Sequence, residues 1–251
     1  MTMKASLKPI IVLTVSWMIC LLSSSCKTYR GIPGPGGYII GSGVVVEQTR
    51  DLASFHGIKI KCSGEVVFSK GGPQMLRIVV DDNIIDHIRT VVENDGTLTI
   101  ESDVEFSSGG GLKVYATMEE TIEFSIEGSA KIKSESPFTT NALVIAVAGS
   151  GEIDMDVEAT SIVSSIEGSG SISLSGKAFN HIFSIAGDGS LNALNLEVDT
   201  YIISIAGAGI CRIHVTHQLE LTIVGAGIVY YTGDPSVLIT SITGGGSLIK
   251  I

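Results

Sequence analysis

Ser165-Ile166-Glu167-Gly168-Ser169-Gly170-Ser171-Ile172-Ser173-Leu174 carries the pattern that decides the fold. A small residue and an isoleucine lead into a glycine turn, and apolar residues alternate with serines after it. The turn returns as Gly128-Ser129-Ala130, Gly149-Ser150-Gly151, Gly187-Asp188-Gly189, Gly207-Ala208-Gly209, Gly225-Ala226-Gly227 and Gly244-Gly245-Gly246. With Gly168 in place, successive first glycines lie 21, 19, 19, 20, 18 and 19 residues apart. A period of this size marks a solenoid, in which each repeat buries its apolar face only against its neighbours.

The register of the repeat predicts how the rungs pack. Two residues before each first glycine stands Ile126, Val147, Ile166, Ile185, Ile205, Ile223 or Ile242. Before these come small residues: Ser125, Ala146, Ser165, Ser184, Ser204, Thr222 and Ser241. Equivalent positions stack in parallel sheets, so the Ile/Val column is expected to fill the interior. Glycine is needed at the turn because it reaches positive φ without a steric cost and lets stacked backbones approach. Val144, Val163, Ile182, Ile202 and Ile239 lie two residues before the small column, which makes that face apolar too. A corner between the two columns would reconcile them. Each repeat thus supplies two or three short strands, and almost no segment has a helical period. The irregular spacing fits an all-β, right-handed parallel β-helix better than the stricter left-handed hexapeptide helix. The competing fold is an antiparallel β-sandwich.

Residues 1–26 read as an export signal. Lys4 and Lys8 precede an apolar run over residues 10–22, and Leu22-Ser23-Ser24-Ser25-Cys26 resembles a bacterial lipobox with its aliphatic residue one place early. Cys26 is therefore the expected lipidation site, with a plain cleaved signal as the alternative; the run is short for a spanning helix. Residues 27–43 are rich in glycine and proline and read as a tether. Residues 44–251 form one domain, with a diverged part over 44–121 and regular repeats over 122–251. In the diverged part, Cys62-Ser63-Gly64 reads as an early copy of the glycine turn. Residues 82–92 fit a helix or a strand, with strand preferred and a polar turn at Glu93-Asn94-Asp95-Gly96. Ser107-Ser108-Gly109-Gly110-Gly111 reads as a loop.

The charge excludes one class of partner. The whole chain carries 16 basic and 26 acidic residues. Lys4 and Lys8 leave with the signal, so 14 basic residues face 26 acidic ones, a net −12. Such a chain repels the phosphate backbone, so no nucleic acid is expected. Cys62 and Cys211 sit near opposite ends of the solenoid, with rungs stacked about 4.8 Å apart, and are expected to be unpaired core thiols. The last repeat ends with no polar cap. A dimer through this rung, a folded-over segment or Lys250 would hide it.

No constellation in the repeats carries chemistry. The serines are the small residues of the register. His214 and His217 are three apart on a strand and point oppositely unless a turn intervenes. Glu152, Asp154 and Asp156 share one strand face and are weak candidates for binding Ca²⁺, which takes several oxygen ligands. Their equivalents one repeat on are Ser171, Ser173 and Ser175, so a solvated outer face is the preferred reading. Glu127 and Glu167 share a register two rungs apart, roughly 10 Å, wide for a glycosidase pair. Tyr201, Tyr230 and Tyr231 are candidate aromatic platforms, with edge packing the alternative. No cofactor is expected.

The opening Asp51-Leu52-Ala53-Ser54-Phe55-His56-Gly57-Ile58-Lys59-Ile60, with Ser63-Gly64, Val79-Val80-Asp81-Asp82-Asn83-Ile84-Ile85 and Gly96-Thr97-Leu98-Thr99-Ile100 ahead of the glycine ladder, resembles the putative auto-transporter adhesin head GIN domain family. The resemblance runs over roughly residues 46–251. It implies a right-handed β-helix on an exported Bacteroidetes lipoprotein and supplies no catalytic motif. The expectation is a non-catalytic, envelope-anchored binding or structural module, held to the outer membrane by lipid on Cys26 and meeting a glycan or protein partner. A carbohydrate-active enzyme of polysaccharide lyase or hydrolase type is the alternative, which an acidic cleft would favour and smooth walls would count against. Lys27-Thr28-Tyr29-Arg30 lacks the acidic run that accompanies surface export in that phylum. The membrane face, periplasmic or external, stays open.

Overall fold

The computed structural model describes residues 37–251. The signal segment, Cys26 and the tether as far as residue 36 lie outside the described residues. No helix among the described residues is long and apolar enough to cross a membrane.

From Glu123 onward the chain winds as a parallel β-solenoid of about seven turns. The glycine turns stack one on another: Gly128 pairs with Gly149, then Gly168, Gly187, Gly207 and Gly225 in succession. Each rung has two arms, one before and one after its glycine turn. The strands Glu152–Gly168, Ser171–Gly187, Ser190–Gly207 and Ile210–Gly225 each run through the second corner as one continuous strand. The uneven period has a local cause. The register shifts by one residue between Ser173 and Ser175 against the next rung, and again at later corners. Bulges absorb an extra residue so that the glycine columns stay aligned.

Ile126, Val147, Ile166, Ile185, Ile205 and Ile223 are all buried, and Ile153, Met155, Ile172, Leu174, Leu191 and Cys211 face them from the other arm. The expected corner between the small column and the Val144 column does not exist. Ala146, Ser165, Ser184 and Ser204 face outward, and so do Val144, Val163, Ile182 and Ile202 on the same strands. Those branched side chains are half-buried because each is shielded by its equivalents in the rungs above and below. The interior takes the alternate positions, such as Leu143, Ile145 and Val147.

The diverged part is threaded out of sequence order. The strands Gly57–Ile60 and Glu65–Lys70 form a rung whose two neighbours both come later in the chain. On one side lie Thr97–Ser102 and Lys113–Met118; on the other lie Glu123–Gly128 and Lys131–Ser134. Continuing the pairing of Ile60 with Ile126 and Glu65 with Lys131 sets Cys62-Ser63-Gly64 opposite Gly128-Ser129-Ala130, the alignment expected of a diverged turn. Antiparallel strands close this end. Met75–Asp81 pairs with Lys113–Met118, Val45–Arg50 with Met75–Asp81, and Ile88–Val92 with Thr97–Ser102. They bury Leu76, Ile78, Val80, Ile84 and Ile88 over the first rung.

Two sequence expectations are refined. Residues 82–92 hold a short 3-10 turn at Ile85–His87 followed by the strand Ile88–Val92. Residues 39–43, expected in the tether, belong to the domain: Ile39–Ile40 pairs with Phe106–Ser107. The Asp81 carboxylate accepts the Gly43 N–H at 3.1 Å, and the Asn83 side chain accepts from Ser42 N–H and donates to the Ile40 carbonyl, both at 2.9 Å. Glycine and proline content marks a flexible composition, but the buried Asp81 side chain needs partners and draws the segment in.

Candidate functional site

The glycine ladder is structural at both positions of each turn. The first glycines, from Gly128 to Gly244, have φ between 112° and 131°. The second glycines do a different job. A Cβ on Gly151, Gly170, Gly189, Gly209, Gly227 or Gly246 would lie 2.5–2.8 Å from a side-chain carbon of Ile126, Val147, Ile166, Ile185, Ile205 or Ile223, the inward residue of the preceding turn. The bare Cα is what lets that column pack tightly.

Glu152, Asp154 and Asp156 point outward together, but the first two face lysines rather than a shared hollow. Lys131 stacks on Glu152 with Nζ 2.9 Å from its carboxylate, and Lys133 stacks on Asp154. Lys133 also reaches Glu65 at 2.7 Å, and that hydrogen bond holds the Glu65 carboxyl below its usual range. Charges of opposite sign thus alternate up the arm in the order Lys113, Glu65, Lys131, Glu152. Among the described residues no group of three His, Cys, Asp or Glu side chains is placed to hold a metal ion. Glu127 pairs with Lys59 and Lys61 at 3.6 and 3.9 Å, and Glu167 lies two rungs further on.

His214 is half-buried on the outer wall, and His217, past the corner, lies 3.0 Å from the Ser236 hydroxyl. Tyr201 is fully buried, while Tyr230 and Tyr231 are half-buried and Arg212 sits 5.5 Å over the Tyr230 ring. Cys62 and Cys211 are both free thiols, and burial pushes each up to about 12. A polar pair, His181 and Ser164, is enclosed in the core. His181 stacks against Tyr201 at 5.0 Å between ring centroids, and its Nε2 lies 2.7 Å from the Ser164 hydroxyl. Burial drives His181 down to about 3, so it is neutral there. The node is sealed from solvent and offers a ligand no entrance.

The concave surface is where the chain jumps. After Met118, residues 119–122 cross the end of the rung containing Glu65–Lys70 to start the strand Glu123–Gly128. Gly71 donates to the Met118 carbonyl and Ile122 to the His56 carbonyl, both at 2.8 Å, fixing the two ends of the bridge. Thr140 anchors it from the next rung by donating to the Thr121 carbonyl at 2.8 Å. Gly72 packs beneath: a Cβ there would lie 2.7 Å from the Glu119 carboxylate.

Two adjoining hollows flank this bridge. One, of about 510 Å³, is lined by Lys70, Glu119, Glu120, Thr121, Ile122 and residues 139–142. The other, of about 440 Å³, is lined by Ser54, Phe55, His56, Gln74, Glu119 and Glu120. Lys70 Nζ is occupied by the Thr139 carbonyl, and Gln74 is held by Phe55 N–H and the Ala53 carbonyl, both at 3.0 Å. Glu119 and Glu120 are exposed and enter none of the ion pairs among the described residues. The buried hydroxyl of Thr121 and Nδ1 of His56 have no partner. The groove is thus rich in acceptors, with an acidic lip.

The residues of the groove come together only through the out-of-order threading, which no local pattern in the sequence encodes. The one available signal was the break at Met118-Glu119-Glu120-Thr121, where two adjacent carboxylates interrupt the alternation just before the regular repeats.

Comparison with known proteins agrees with this architecture. The chain is similar to the crystal structure of a putative adhesin from Bacteroides fragilis, at 23% identity and a TM-score of 0.81, over 85% of this chain and 100% of that one. It is similar to a structure described as a putative lipid binding protein from Parabacteroides distasonis, at 23% identity and a TM-score of 0.72, over 85% and 99%. A putative adhesin from Parabacteroides merdae matches at 22% identity and a TM-score of 0.64, over 85% and 99%. These likenesses show the fold. No curated protein matches the chain. The family model described as "putative auto-transporter adhesin, head GIN domain" matches residues 54–235, most of the described solenoid, and the chain belongs to that family.

Proposed function

We propose that the protein is a non-catalytic binding module of the cell envelope, anchored through lipid on Cys26, whose crossover groove takes a neutral or amino-bearing glycan. The observation that carries the reading is the groove itself. On the arm before each glycine turn of the regular repeats, the outer wall is a stack of serine, alanine and branched aliphatic residues. At the bridge, Glu119 and Glu120 stand between two hollows, with Thr140 and Asn141 lining one and Gln74 the other. Carboxylates and amides pair with the hydroxyl groups of a sugar, and unpaired carboxylates in an acidic chain repel sulfated or uronic chains. The family membership supports an adhesin-like role.

The test is a glycan array probed with the wild type and with Glu119→Gln/Glu120→Gln. The expected result is retention of neutral or amino glycans, weakened at least tenfold in the double variant. Equal retention by both proteins, or a preference for sulfated chains, overturns the assignment. Protease shaving of intact cells, read by a tag after Ile251, reports the membrane face: loss of the tag from intact cells supports adhesion, and loss only after lysis points to an envelope partner.

A carbohydrate-active enzyme is the second reading, favoured by the same acidic pair together with His56 in the adjoining hollow. Glycosidases need two carboxylates flanking one bond. Release of reducing ends from a bound glycan by the wild type, abolished in Glu119→Gln or Glu120→Gln, would establish it.

A further inference from the structure

We infer that the C-terminal rung is a homodimer interface, in which the strand Val237–Thr243 pairs antiparallel with the same strand of a second copy, centred on Thr240.

The two ends of the solenoid are treated differently. The N-terminal end is closed by antiparallel strands that bury its inward residues. The strand Val237–Thr243 pairs with Ile210–Gly225 on one side, and Ser247–Lys250 pairs with Ile228–Thr232 on one side; among the described residues neither has a neighbour on the other. The inward columns therefore run out into the open. Leu219 and Ile223 are completely buried, yet Leu238 and Ile242, their partners one rung on, are 48% and 39% exposed. Ile239, Ile249 and Ile251 extend the apolar surface, at 52%, 39% and 58%. Lys250 does not cover it: its ammonium group is turned to Asp234.

The strand's own sequence fits a two-fold partner. Val237-Leu238-Ile239-Thr240-Ser241-Ile242-Thr243 carries no charge, so it lacks the residues that guard an edge strand. Reversed on itself about Thr240, it sets Leu238 opposite Ile242 of the copy, inward against inward. Ile239 falls opposite Ser241 and Val237 opposite Thr243, outward against outward. A slip of one residue would put inward residues opposite outward ones, and a slip of two would leave strand ends unpaired, so phase and full overlap of the seven residues together select this register. The pairing is isologous and closes at two copies. It repeats the device that caps the other end, an antiparallel strand laid on a parallel rung. A strand of this length spans about 23 Å at ~3.3 Å per residue, and the rung is some 20 Å deep with its outer side chains. The contact then removes on the order of 900 Å² in total, close to the ~1,000 Å² of a specific interface, with a full ladder of backbone hydrogen bonds added.

The test is disulfide trapping in the full chain expressed in its membrane. In the proposed register the two Thr240 Cα atoms lie about 4.5–5.5 Å apart, within disulfide reach. Mild oxidation of Thr240→Cys should convert at least half of the protein to a species of twice the mass. Ser169→Cys, on an exposed glycine turn, serves as the collision control and should give under a tenth of that. Cys211 is buried and Cys62 half-buried, and both proteins carry them alike. Thr240→Asp should abolish association measured by sedimentation while leaving the far-ultraviolet spectrum and the thermal midpoint within a few degrees. A monomer only, equal yield from Ser169→Cys, or an adduct of another mass overturns the inference, the last by naming a different occupant.

Discussion

At the residue scale, each glycine turn separates two requirements that look alike in the sequence. Ser169 lies between a glycine held at φ 114° and one pressed against Val147. Ser169→Ala should leave the urea midpoint almost unchanged. Gly170→Val should lower it strongly, by an amount equivalent to about 2–4 kcal/mol, because overpacking forces either the Val147 rotamer or the Gly151 carbonyl to move. Chemical denaturation of the three proteins checks this. His181 supplies a second residue-scale prediction. Its folded value of about 3 lies below that of the unfolded chain, near 6.5, so the unfolded state binds the extra proton between those limits. Stability should therefore be unaffected by this group above about pH 6.5 and fall by up to ~1.4 kcal/mol per pH unit below it. His181→Leu should flatten the acid limb of the stability curve. An unchanged slope would mean that the ring reaches water or a hidden partner.

At the element scale, the stacked columns explain both what the sequence revealed and what it hid. The repeat was legible because parallel stacking puts like on like, so Ile126 through Ile223 announce one column by spacing alone. The outward direction of Val163 and Ile182 was not legible. Alternation says that residues two apart share a face, but not that an outer face with shielded aliphatic rows is acceptable. The groove was hidden for a different reason. Gly57 pairs with Thr97, 40 residues on, and with Glu123, 66 residues on, and no local pattern encodes a choice between distant segments. The lysine–carboxylate column over Lys113, Glu65, Lys131 and Glu152 makes its own prediction. These pairs are half-exposed, so screening weakens them. Lys131→Ala should shift the denaturation midpoint slightly at low ionic strength and not at all near 1 M salt.

At the scale of the whole molecule, stability should be graded along the solenoid. Interior rungs have two neighbours and the last has one, and solenoid stability is close to a sum of rung and interface contributions. Amide hydrogen exchange should be slowest over residues 153–224 and fastest over residues 237–250, in a protein kept dilute enough to stay monomeric. Protection of residues 237–243 that rises with protein concentration would report the two-fold pairing directly.

The sandwiching of the Gly57–Lys70 rung also decides where the chain tolerates changes of length. Residues 57–118 are interlocked, since a rung whose two neighbours are both made later cannot be copied or removed without undoing the weave. From Glu123 on, each turn pairs only with the turns next to it in the chain or with the rung at its start. Duplicating residues 171–189 should yield a folded, longer protein, whereas deleting residues 97–118 should yield none. Lineages carrying this architecture are expected to differ in turn number toward the C-terminus and to keep a fixed number of residues ahead of it.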